Sequence, residues 1–221
     1  MTNNNAYAAS LPLWQAASSY LRWLIVVLTL PISQIYAGNA RWGSNPLTTD
    51  WNTTSNWSPA TVPNGPTDTA TFATSSKTML SISANTEVNG VTFNANASGY
   101  GISVAGFGLT ISGAGISNNS VPSQGFHTQL TYSTGIPGAI YFLNSATAGT
   151  GTNYINDGPI IGQTLFAYTE LFNSSTLGSA TMNNNGSLAV GYYGGATYFY
   201  DTATAGQGTI NNNPGLASGA Y

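Results

Sequence analysis

Few side chains in this sequence could do chemistry, and they fall into three groups. Trp42, Trp51 and Trp57 crowd one Pro-rich stretch. Indole rings can stack on sugar rings, which makes these three the candidate glycan-stacking residues; equally, large aromatics at the end of a β-stack plug its core. Asp157, Glu170 and Asp201 are the acids of the C-terminal half. Cleaving a glycosidic bond requires two carboxylates about 5–10 Å apart. His127 is the single histidine. One histidine in a chain without cysteine cannot assemble a zinc site of several His or Cys ligands. A Ser–His–Asp arrangement is combinatorially open, but no Gly-x-Ser-x-Gly elbow occurs.

Weighed one by one, these residues favour structural roles. Asp157 sits in Asn156-Asp157-Gly158, where an Asp is ordinary turn chemistry, and Asp201 stands where neighbouring segments carry Asn144 and Asn173. A lyase acting on polyanionic sugar needs Arg or Lys beside the substrate carboxylates, and neither occurs after Lys77. Asp68-Thr69 and Asp157-Gly158 offer oxygen ligands, but without an EF-hand loop or a calcium-binding nonapeptide. The expectation is a protein with no catalytic residues, no cofactor and no metal.

Composition narrows the partners. Charged residues make up 4% of the chain and the formal net charge is −3. Nucleic acid is excluded as a partner, because its binding rests on Lys and Arg neutralising phosphates. With no cysteine, stability must come from packing and hydrogen bonds. At the N-terminus, Arg22 precedes the apolar run Trp23–Leu30, Pro31 breaks it, and Ala37 offers a cleavage position. Residues 1–37 therefore read as a signal peptide with a short helix, and the apolar run is well short of the roughly 20 residues a membrane-spanning helix needs.

The elements that must hold these residues are strands. After a Trp/Pro-rich segment at 38–78, read as an N-terminal cap, the pairs Leu80/Ile82, Val91/Phe93, Ile102/Val104 and Leu109/Ile111 repeat apolar residues at period two. From Ile140 a longer repeat takes over. Tyr141-Phe142, Glu170-Leu171 and Tyr198-Phe199 begin three similar segments, whose glycines Gly149, Gly178 and Gly206 are 29 and 28 residues apart. Thr152, Thr181 and Thr209 follow at equal offsets, then Asn-rich turns. A near-fixed period of this length marks a solenoid in which identical positions stack as ladders. The expected fold is all-β, a parallel β-helix with its repeats over 79–221; the chain after residue 37 would make roughly seven coils of about 25 residues in a rod of about 35 Å, and an antiparallel sandwich or barrel is the competing architecture.

The Trp-rich entry, the segment Leu109–Ser120 and the Ser/Ala-Thr-Ala-Gly repeats together resemble the passenger regions of bacterial autotransporters with autotransporter-associated β-strand repeats. The resemblance covers roughly residues 42–215. It implies a right-handed parallel β-helix exported by a Gram-negative cell, extracellular or bound to the outer membrane. Adhesion, aggregation or surface display would be its role, with cell-surface glycans or other copies of itself as partners. Such proteins end in a membrane β-barrel that this sequence does not display before Tyr221. The chain thus reads as a truncated passenger or a free secreted β-helix, touching a membrane only through an uncleaved signal or a barrel outside this sequence. A carbohydrate-binding module and a polysaccharide-cleaving β-helix are the alternative functions.

Overall fold

Each alternating segment forms a strand with one face buried, because side chains of successive residues point to opposite sides of a pleated backbone. The computed structural model describes residues 38–216; the expected signal segment at 1–37 and residues 217–221 lie outside them. The early strands are β1 (Ala40–Trp42), β2 (Trp57–Ser58), β3 (Gly65–Phe72), β4 (Met79–Ser81), β5 (Thr86–Phe93), β6 (Gly101–Ala105) and β7 (Gly108–Asn118). Then come β8 (Gln124–Gln129), β9 (Ala139–Phe142), β10 (Thr150–Asn156), β11 (Tyr168–Leu171), β12 (Ser179–Asn184), β13 (Ala196–Phe199) and β14 (Thr209–Asn212).

These strands alternate between two sheets. The first sheet has the order β13-β11-β9-β7-β5-β3-β1-β2, the second β14-β12-β10-β8-β6-β4. Strand pairs are parallel except β1–β2. Strictly alternating membership with parallel neighbours is the signature of a coil that winds forward one strand spacing per turn. The chain is a β-solenoid of about six turns, and the antiparallel alternatives fall away.

Like stacks on like inside. Phe142, Leu171 and Phe199 share one column of the first sheet, and Ile102, Phe126, Tyr154 and Met182 one column of the second. Phe126 and Tyr154 stack with centroids 5.0 Å apart, and Phe72 stacks on Phe93 at 5.1 Å. Gly149, Gly178 and Gly206 all take positive φ at one corner, where each lies against the backbone carbonyl of the glycine or strand one coil back. The corner before it carries Asn144, Asn173 and Asp201 at φ 57°, 56° and 53°. Asn and Asp tolerate this left-handed region better than other side chains, and Asp201 occupies the same corner as the two asparagines.

Two features depart from the expected pattern. Thr152 is not the equivalent of Thr181: Asn153 pairs with Thr181, which pairs with Thr209, because the register slips between Thr150 and Asn153. The extra residue accompanies Gly151 at φ 64°, and Thr152 turns into the core. The coils also lengthen along the rod, so fewer fit than the expected seven. Leu80 pairs with Ile102, 22 residues on, whereas Tyr154 pairs with Met182, 28 residues on. The added length lies in the connections from the second sheet back to the first. The link between β6 and β7 is Gly106-Phe107, while 130–138, 157–167 and 185–195 are protruding loops. Gly138 and Gly195 bring two of these loops back against backbone carbonyls, where a Cβ would collide.

Candidate functional site

The acids are dispersed around the coil. Asp157 follows the end of β10, where the chain leaves the second sheet, Glu170 projects from β11 on the outer face of the first, and Asp201 occupies the corner after β13. No two of them share a hydrogen-bond partner: Asp157 bonds His127 and Asn185, Glu170 bonds Tyr200 and Asp201 bonds Asn173, so nothing gathers them as the pair a glycosidase needs. Asp201 is satisfied locally: its Oδ2 accepts the Asn173 backbone N–H at 2.8 Å, as Asn173 Oδ1 accepts that of Asn144 at 2.9 Å. Asp68 is buried and accepts the Asn64 backbone N–H at 3.1 Å. Among the described residues no three His, Asp or Glu side chains gather.

Trp42, Trp51 and Trp57 are in the core, exposed by 1, 0 and 4%. Their rings pack edge to face against one another, at 5.1 Å for Trp42–Trp57 and 5.0 Å for Trp51–Trp57, and against Phe72. Each indole N–H is spent on a backbone carbonyl: Trp42 on Lys77, Trp51 on Pro63 and Trp57 on Trp51. No ring offers a face to solvent. The expected glycan-stacking role of these three residues is therefore corrected: they fill the first coil, where β2 closes the edge of the first sheet.

His127 and Asp157, which the sequence left unrelated, meet across one coil. Nε2 of His127 and Oδ2 of Asp157 are 2.6 Å apart, with the side chains 38% and 32% exposed. This is the one ion pair among the described residues. Burial alone would raise the Asp157 carboxyl; hydrogen bonds from His127 and Asn185, and the imidazole charge, outweigh it and hold the group below its ordinary value. In a nucleophilic triad the other imidazole nitrogen meets a hydroxyl; among the described residues His127 has no hydroxyl partner. The pair instead terminates an amide ladder. Asn213 Nδ2 donates to Asn185 Oδ1 at 2.9 Å, and Asn185 Nδ2 donates to Asp157 Oδ1 at 2.8 Å. An inner ladder beside it joins Asn156 to Asn184 and Asn184 to Asn212, each at 2.9 Å.

Glu170 has a different setting. It pairs with Tyr141 on one side and Tyr198 on the other, while Tyr168 on its own strand and Phe172 just past the strand's end flank it two residues away. Glu170 thus occupies the centre of a cross of four aromatic positions. A fifth, Tyr200, stacks on Phe172 at 4.7 Å and donates a long hydrogen bond of 3.4 Å to Glu170 Oε1. Burial pushes the Glu170 carboxyl up, partly offset by that hydroxyl, and burial likewise pushes the Tyr141 phenol up. In the sequence Glu170 stands out only as one of three acids that could serve glycan cleavage. The signal was in the aligned repeats, where Tyr141, Glu170 and Tyr198 hold one position.

Comparison with known protein families, curated proteins and solved structures gives no match.

Proposed function

We propose that this chain is an exported, non-catalytic β-solenoid that acts by contact, in adhesion, aggregation or surface display, like the autotransporter passengers its sequence resembles. The observation that carries the proposal is the row of loops raised along one corner. From the loop 130–138 onward each coil lifts apolar side chains into solvent: Tyr132 is 89% exposed, Ile161 86%, Val190 64% and Leu216 83%. Between the first two loops runs a groove of about 410 Å³, lined by Tyr132, Gly135, Ile161, Gln163 and Leu165. Apolar side chains exposed on successive coils offer a surface for contact, beside a groove whose lining is more polar than apolar. The dispersal of the carboxylates and the ladder role of His127–Asp157 support a role without bond cleavage.

The test replaces Tyr132, Ile161 and Val190 together by Ser in the full chain, leaving the strands intact. Reduced self-association in sedimentation velocity, or reduced aggregation of expressing cells, is the expected result. Unchanged association with a defined hydrolytic activity in the purified protein would sink the proposal. Export is tested separately by the intact mass and cell fraction of the native polypeptide, with cleavage after Ala37 expected.

A further inference from the structure

The outer face of the first sheet carries a second, chemically distinct surface. Glu170 has no Lys or Arg beside it: among the described residues the basic side chains are Arg41 and Lys77, and β1, which holds Arg41, is five strands from β11 in the sheet order. That separation is about 24 Å at the usual strand spacing. A carboxylate partly withdrawn from water and left without a counter-charge is costly unless a cation joins it.

The surrounding rings define which cation. Tyr141 and Tyr198 hold the paired positions on the neighbouring strands, and Tyr168 and Phe172 the positions two residues away along the chain; the faces and edges of aromatic rings cannot replace the water shell of a small metal ion. They do attract a large, weakly hydrated cation through the negative faces of the rings. The free polar groups are also few. The Tyr141 and Tyr168 hydroxyls bond each other at 3.1 Å, and that of Tyr200 bonds Glu170. A sugar, whose recognition requires several unspent donors and acceptors around its rim, finds little here. Tyr198 and Tyr200 are 38% and 42% exposed, so the site opens to solvent.

We infer that Glu170 and the aromatic cross around it form a binding site for a quaternary or methylated ammonium group, such as the trimethylammonium head of choline. The carboxylate supplies the counter-charge, and the rings supply cation–π contact and exclude water. This site lies on a sheet face rather than in the loops, and does not depend on where the solenoid is displayed.

The experiment titrates the full chain with choline chloride, followed by calorimetry and by tyrosine resonances in NMR. It is repeated with 3,3-dimethylbutan-1-ol, the neutral isostere, and with a sodium chloride control. Saturable binding of choline and at least about tenfold weaker binding of the isostere are expected, the loss that a cation–π and charge contribution of this kind represents. E170Q should weaken choline by a similar factor, and Y198A by less. Equal affinity for choline and its isostere, no saturable choline binding, or undiminished binding by E170Q overturns the proposal. So does a neutral oligosaccharide that binds this face and excludes choline. Vesicles of phosphatidylcholine separate the sources: co-flotation that choline displaces assigns a lipid head group, and choline binding without co-flotation assigns a soluble ligand.

Discussion

His127 and Asp157 lie 30 residues apart in sequence and 2.6 Å apart in space, because one coil of the solenoid separates them. Asp157 is the point where a protonatable ring and an amide ladder meet, with His127 on Oδ2 and Asn185 on Oδ1.

That arrangement fixes a pH dependence. The Asp157 carboxyl is held below its ordinary value, so its contribution to stability is present above the unfolded-state value, about 3.9. It is lost as the pH falls through the lowered folded value. D157N should cost about 1 kcal/mol near neutrality, a modest figure because both partners are partly exposed. Urea denaturation of the variant and the parent should converge on acidification. A difference that persists unchanged below pH 3 would count against the assignment.

Glu170 has the opposite sign. Its carboxyl is pushed up, so the charged form is disfavoured by folding; stability is full below the unfolded value and falls as the pH rises through the folded value. E170Q should therefore melt slightly higher than the parent near neutrality and equally at acid pH. Thermal melts across that range check this, and a lower melting temperature for E170Q at neutrality would contradict it.

Phe126 links the two aromatic stacks of the core, 6.3 Å from Phe93 and 5.0 Å from Tyr154 by ring centroids. It is 1% exposed. F126A should cost about 3–5 kcal/mol through lost burial and the cavity left behind. Chemical denaturation measures it; a loss below about 1 kcal/mol would mean that the coils collapse around the gap.

The corner of Asn144, Asn173 and Asp201 separates backbone from side-chain effects. At φ 56°, N173V places a β-branched residue in a conformation it resists, at a cost of about 1–3 kcal/mol. N173G relieves the backbone while losing the side-chain acceptor for Asn144, and D201N keeps an acceptor for Asn173. Valine should be the worst of the three in thermal melts, and equal losses for all would refute a conformational cause.

The fold was legible wherever the repeat was regular. Phe142, Leu171 and Phe199 announced an interior column because equal offsets in a solenoid become direct neighbours. Thr152 broke the rule through a single residue at Gly151, since one inserted residue turns every following side chain to the other face. The tryptophans were ambiguous because glycan stacking and core filling ask for the same residue type, and only burial separates them. The His127–Asp157 contact was hidden for another reason. His127 precedes the regular repeats, so no offset related it to Asp157. Tyr141, Glu170 and Tyr198 were aligned in the sequence, but Tyr168 and Phe172 complete the cross along the strand, a direction that repeat alignment does not compare.

The outer amide ladder also has a polarity. Asn213 donates toward Asn185 and Asn185 toward Asp157, so their N–H groups point toward the N-terminal end of the rod. The inner ladder, from Asn156 through Asn184 to Asn212, points its donors the other way. Aligned amides sum their dipoles as the peptides of a helix do. The positive end of the outer column faces Asp157, which gives a physical reason for an acid at the head of a file of asparagines. The inner column spans the same coils and runs opposite, so the two neighbouring files partly offset each other and the acid answers the outer file alone.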